Sequence, residues 1–145
     1  MVLGIDEGNL EISLDKNAYE PGEVIHGHVR LILQEPEHAR SLYVVFYGEE
    51  TKKDGKKTYI EREYEVKKIL DVEKTYQNGE AYEFEILTPN ISLPPRAEGI
   101  IVSEQNYAPK PGPSAWFIHA TLDIPLKIDF NTRKQVSILS AMRTK

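Results

Sequence analysis

The chain has 145 residues, the length of one domain, and no cysteine, so disulfide bonds and thiolate chemistry are excluded. A net charge of −5 argues against binding to nucleic acid, and no apolar run approaches the roughly 20 residues that a membrane-spanning helix needs. The first residues lack the basic start and apolar run of a secretion signal, which favours a cytoplasmic location. We therefore expect residues 1–145 to form a single domain with no nucleic-acid partner and no integral membrane segment.

Apolar and polar residues alternate along seven segments, which is the pattern of β-strands with one face on a core. Residues 24–33 show it clearly, because every second residue from Ile25 to Leu33 is apolar or glycine. No segment has the 3.6-residue apolar stripe of a helix. Residues 57–72, the nearest to it, also alternate and predict a long strand with a bulge. The predicted strands are residues 9–15, 24–33, 41–50, 57–72, 80–87, 115–124 and 134–139.

Turn signals separate these strands, and together they predict an all-β fold. Proline presets the backbone for a turn and glycine accepts a positive φ, so we expect Pro21 and Gly22 to have a structural role. Short antiparallel strands joined in this way predict an immunoglobulin-like β-sandwich of about seven to nine strands, with a barrel as the alternative. The stretch between Thr88 and Ser114 is long and rich in proline, which is typical of a functional loop. Two further dipeptides predict type I′ hairpins: Asp54-Gly55 and Asn78-Gly79.

Four segments resemble characteristic sequence motifs of arrestin-like domains, in the same order and over similar spacings. They are the turn from Tyr19 to Glu23 with the strand after it, the run LYVVFYG from Leu42 to Gly48, FEILTP from Phe84 to Pro89, and WFIHATLDIP from Trp116 to Pro125. The last is most similar to the sporulation-control branch of bacteria and archaea. The resemblance implies an arrestin-like sandwich that acts as a non-enzymatic adaptor or scaffold and binds protein partners, with no cofactor.

The chain departs from the arrestin pattern in two ways. Full arrestins carry a second sandwich, as do the retromer subunits that resemble them, whereas this sequence spans one. Receptor-binding arrestins also place paired lysines near the first strand to sense phosphate. Here that strand carries Glu11 and Asp15, with only Lys16 near its end. We therefore do not expect the protein to recognise a phosphorylated receptor through paired lysines at this strand.

A cluster of lysines around one turn is the candidate partner-binding site. By resemblance, this turn lies where arrestins have a loop that contacts their partners. Clustered ammonium groups in an acidic protein can attract a phosphate, an acidic segment or an anionic lipid head group, although lysines at a hairpin tip also serve solubility alone. The residues are Lys52, Lys53, Lys56 and Lys57.

The sequence allows two other kinds of site. His26 and His28 share one strand face, which is the geometry of some metal sites, so the alternative function is a small-ligand or metal-binding protein that uses these two residues. No third ligand follows nearby in the sequence, and we therefore predict that no metal is bound. Ser103, His119 and Asp123 can be combined as a triad, but no nucleophile motif surrounds them, so we predict no enzymatic activity. A protein partner of unknown identity is expected, and a homodimer through an exposed strand edge stays open.

Overall fold

A computed structural model describes residues 8–89 and 113–139, which form ten strands and no helix. The seven predicted strands all occur, with ends that differ by a few residues. The three strands that the alternation did not predict are only two or three residues long. The strands are β1 (Gly8–Leu14), β2 (Ala18–Tyr19), β3 (Val24–Leu33), β4 (Glu37–Ala39), β5 (Ser41–Asp54), β6 (Lys57–Asp71), β7 (Lys74–Tyr76), β8 (Ala81–Leu87), β9 (Ala115–Asp123) and β10 (Phe130–Ile138).

The strands form two facing sheets and a small third one. The first sheet has three strands in the order β1-β3-β8, the second has five in the order β2-β10-β9-β5-β6, and β4 pairs with β7. Every pair is antiparallel except β2 with β10. The prediction of an all-β, mainly antiparallel sandwich is therefore confirmed, while the short strands bring the number to ten.

The core lies between the two larger sheets and is built from every second residue of their strands. Val29 of β3 is fully buried, as is Ile118 of β9 on the opposite sheet. The Trp116 ring stacks on the Phe46 ring at 5.3 Å between centroids, so the tryptophan belongs to the core. The alternation seen in the sequence thus corresponds to real burial, and each buried large apolar side chain contributes about 1.5–3 kcal/mol.

The turn before β3 has the predicted conformation. Gly22 has a φ of 85°, and the Glu23 amide donates to the Glu20 carbonyl at 3.0 Å, which is a type II turn with Pro21 at its second position. Beside it, Tyr19 is fully buried and its hydroxyl donates to the Asp15 carboxylate at 2.5 Å. This turn is therefore a fixed part of the scaffold.

The other two turns differ from the type I′ prediction. Asp54 pairs across the strands with Lys57, so the two loop residues are Gly55 and Lys56, and only Gly55 has a positive φ; this is a type II′ arrangement. Asn78-Gly79 does not close a hairpin at all, because β7 and β8 belong to different sheets. The Asn78 side chain instead accepts a hydrogen bond from the Leu33 amide at 2.8 Å and so fixes the end of β3.

The predicted bulge in the long strand is present. Phe46 pairs with Val66 and Gly48 with Glu63, so one residue more lies on β6 than on β5 in between, and Tyr64 there has a φ of 57°. Gly48 has no room for a side chain, because a Cβ atom would lie 2.5 Å from Pro113. Most of the proline-rich stretch, residues 90–112, lies outside the described residues.

Candidate interaction surface

The β5–β6 hairpin extends past the rest of its sheet. Strand β9 pairs with β5 only as far as Glu49, opposite Ala115. Among the described residues, the part of β5 after Glu49 pairs with β6 alone. We call this two-stranded projection, residues 50–61, the hairpin arm. It carries the lysine cluster that the sequence singled out.

The four lysines of that cluster have two different environments. Lys52 is half-buried and its ammonium group lies 3.2 Å from Glu61 and 3.9 Å from Glu63. The hydrogen bond with Glu61 raises the pKa of Lys52 above its ordinary value. Lys53, Lys56 and Lys57 are exposed, and none of them has an ion-pair partner within the described part of the chain. Of the four lysines that the sequence places around the hairpin tip, three are exposed there and Lys52 bridges the two strands.

The base of the hairpin arm is acidic where its tip is basic. Glu50 lies directly opposite Glu61 across the two strands, and Lys52 is the cation that compensates them. One oxygen of Glu50 is buried without a hydrogen-bond partner within residues 8–89 and 113–139. The arm therefore carries separated charges, positive at the tip and negative where it joins the sheet, which favours one orientation of a charged partner.

His26 and His28 lie side by side on the outer face of the three-stranded sheet, as the alternation predicts. Each faces a glutamate of β8: His26 Nδ1 lies 3.4 Å from Glu85 and His28 Nε2 lies 3.7 Å from Glu83. A shallow depression of about 260 Å³ lies between these side chains, above Phe84. The described residues contain no group of three or more side chains placed to hold a metal ion. The structure thus pairs the histidines with carboxylates one by one.

The residues of the triad that the sequence allowed are engaged elsewhere. His119 Nε2 lies 3.3 Å from the Asn131 side chain, and Asp123 accepts a hydrogen bond from Arg40 at 3.3 Å. Ser103 lies outside the described residues.

One feature of the outer face of the five-stranded sheet was not found from the sequence. Tyr47 is fully buried there although its side chain points away from the core, because Arg62 covers its ring at 3.9 Å. Arg133 lies 3.8 Å above the Phe117 ring and donates to the Tyr47 hydroxyl at 3.1 Å. These guanidinium–aromatic contacts shield the Tyr47 ring from water. The sequence signal that could have predicted this feature is the pair of aromatic residues, Tyr47 and Phe117, at outward positions of two strands that prove to be neighbours.

The outer edge of β6 is rich in exposed apolar side chains. Its burial pattern is exposed at almost every position, and it pairs only with β5 within the described ranges. Most of the large apolar side chains that are exposed in the described structure lie on or beside it: Tyr59, Ile60, Tyr64, Val66, Ile69 and Val72.

Comparison with known proteins places the fold. No family model matches the chain, and no curated protein matches it. Among solved structures, the sporulation control protein Spo0M from Bacillus subtilis superposes with a TM-score of 0.66 at 17% identity, over 92% of this chain and 50% of that one. The fold is therefore arrestin-like, as the resemblance in the sequence implied. The chain spans about half the length of Spo0M.

A second solved structure is less similar. A β-glucosidase from Listeria innocua aligns with 90% of this chain and 16% of its own length, at 12% identity and a TM-score of 0.37. A score that low carries no argument about fold or activity.

Within the described residues, no helix is long and apolar enough to cross a membrane.

Proposed function

We propose that this protein is a non-enzymatic interaction module of the arrestin-like type, a cytoplasmic adaptor or scaffold that binds a protein partner through its hairpin arm. The fold is shared with a protein named for sporulation control, which supports a regulatory role. His119 and Asp123, the described members of the triad that the sequence allows, contact Asn131 and Arg40 instead of each other.

The observation that carries the proposal is the exposed tip of the hairpin arm. Lys53, Lys56 and Lys57 project beyond the sheet on a chain whose net charge is −5, and with Asp54 opposite Lys57 the tip keeps a net charge of +2. None of the three lysines has an ion-pair partner within the described part of the chain. Ammonium groups held on a two-stranded projection attract acidic groups at a distance and then contact them with little desolvation. The partner surface we infer is an acidic segment of a protein.

A photocrosslinking experiment tests the contact directly. A photoreactive amino acid replaces Lys56 at the tip, and in a matched control it replaces Lys134, which is exposed on β10. Extract from the native organism is irradiated with each protein. We expect position 56 to be joined to a distinct protein that position 134 does not capture, and less of it as salt is raised. Equal capture at both positions at low salt would contradict the proposal.

A set of charge variants tests the same contact without a probe. In one variant Lys53, Lys56 and Lys57 become serine; in its control Lys16, Arg30 and Lys134, all exposed on other surfaces, become serine. Both variants change the net charge equally and should melt like the parent, because exposed side chains contribute little to stability. Only the hairpin variant should lose the partner. If the two variants bind it alike, the hairpin is a solvated turn.

A further inference from the structure

Strand β6 has the features of a template for another strand. It has 15 residues, contains no proline, and forms one side of the five-stranded sheet with β5 as its neighbour. Edge strands are commonly short, or carry prolines, bulges or inward charges that hinder pairing. Strand β6 is long and has no proline, although it has the bulge at Tyr64, and its Lys68 pairs with the buried Val44 and so faces inward. The other edge of the same sheet fits that rule, since β2 has two residues. The two edges of this sheet are therefore very unequal in their capacity to bind a further strand.

On both faces of the sheet, apolar side chains flank the edge of β6 that pairs with no other strand among residues 8–89 and 113–139. Val66 pairs with the core residue Phe46 and so lies on the inner face, yet it is 37% exposed. Ile69 pairs with Tyr43 on the outer face and is 61% exposed. A strand added beside β6 would cover both side chains at once, which a partner that contacts a single face could not do.

The charges along β6 identify a second copy of the same strand as the occupant. Its first half has a net charge of −1, from Glu61, Glu63 and Glu65 against Lys57 and Arg62, and its second half has a net charge of +1, from Lys67 and Lys68 against Asp71. A two-fold axis between two copies makes their β6 strands antiparallel, so the acidic half of each lies beside the basic half of the other. The strand is thus complementary to itself.

One register satisfies this complementarity at its centre. In an antiparallel pair, directly opposed side chains lie on the same face of the sheet. The two-fold axis must therefore lie midway between a residue and the same residue of the second copy. An axis at Glu65 or at Lys67 opposes like charges. An axis at Val66 opposes the two valines and places Glu65 against the partner's Lys67 on both sides, beside the Arg62 that Glu65 contacts at 3.2 Å in its own chain. The ends of this register oppose Glu61 to the partner's Asp71, so the complementarity lies at its centre. We propose that β6 pairs with β6 of a second copy in this register and joins the two five-stranded sheets into one.

The pairing is tested by light scattering and a charge exchange. We expect the wild-type protein to form a dimer as its concentration rises. Glu65→Lys alone and Lys67→Glu alone each oppose like charges twice and should raise the dissociation constant about tenfold or more. The double variant restores opposite charges and should restore the dimer. Glu83→Lys, an equal charge change on the exposed face of β8, is the control and should dimerise like the parent.

Amide exchange measured at two protein concentrations separates the occupants of the edge. For a dimer, amides of β6 should be protected only at the high concentration. Protection at both concentrations with a monomeric mass would assign the edge to residues 90–112 of the same chain, and exchange without protection at either would leave it to another protein; both results overturn the proposal. A dimer unaffected by either single reversal would also overturn it. These outcomes are independent of the hairpin contact, which crosslinking at position 56 measures.

Discussion

Strands β3 and β6 have similar alternating sequences but opposite surroundings. β3 lies between β1 and β8, and its side chains alternate strictly between buried and exposed. β6 is longer, yet hardly any of its residues is buried. Alternation is a local property of the chain, whereas burial depends on which strands lie beside and above it. The comparison shows that the same pattern produces either a core strand or an exposed edge, and the following experiments separate the two.

The largest expected difference comes from truncating one side chain on each strand. Leu31→Ala on β3 removes a fully buried side chain and should lower the free energy of unfolding by about 2–5 kcal/mol. Ile69→Ala on β6 removes a side chain that is mostly in water and should change it by less than about 0.5 kcal/mol in the monomer. Urea unfolding at low protein concentration measures both. Equal losses would mean that β6 is covered as well as β3.

Gly27 tests how tightly the middle of β3 is packed. A Cβ atom there would lie 2.5 Å from the Phe84 ring and 2.9 Å from the Ser13 carbonyl oxygen. Gly27→Ala should therefore destabilise the fold by about 1–3 kcal/mol through overpacking. Replacing Phe84 by leucine in the same chain should recover part of the loss, because the ring is one of three obstacles, with Leu14 Cδ2 and the Ser13 carbonyl oxygen each at 2.9 Å. No recovery would assign the cost to Leu14 and the Ser13 backbone.

The turn that starts β3 can be compared with the one that starts β6. Gly22→Val places a branched side chain at a φ of 85° and should cost about 1–2 kcal/mol or more. Gly55→Val imposes a similar strain at the tip of the hairpin arm, where φ is 66°. Thermal melting measures the two losses. A Gly22 variant that melts like the parent would show that the turn relaxes to another conformation at no cost.

A smaller effect is expected from acid at the start of β3. The hydrogen bond from Tyr19 holds the pKa of Asp15 below its ordinary value, and burial raises the pKa of Tyr19 to about 12. Because the folded pKa of Asp15 is lowered, its stabilising contribution is present above about pH 4 and is lost as the pH falls through the folded value. Asp15→Asn should therefore melt below the parent at neutral pH and approach it in acid. A gap that persists in acid would assign the loss to packing.

No change at all is expected from removing metal. His26 and His28 lie on the exposed face of β3 and already face glutamates, so dialysis against a chelator should leave the melting temperature unaltered. A fall of many degrees that zinc reverses, and that His26→Ala abolishes, would establish a ligand role for these side chains instead.

The sequence predicted the fold well because sandwich strands encode their inner and outer faces at every second residue. It missed β2, β4 and β7, which are too short to show an alternation. It treated Lys52 like its neighbours, since the contact with Glu61 arises only when β5 and β6 are in register. The edge position of β6 was also not predictable from the sequence, because the strand order depends on β9, which is far from β5 along the chain and pairs beside it.

That strand order also sets the time course of folding. β5 and β6 are joined by a two-residue loop and can pair as soon as both are synthesised, but the other side of β5 waits for β9, and β9 for β10. The pairing of Ala18 with Ser137 spans most of the sequence and cannot form until β10 is synthesised. Such distant pairings fold in milliseconds to seconds, not microseconds. During synthesis one edge of β5 is therefore unpaired, and the nascent chain is most prone to aggregation until β9 has left the ribosome.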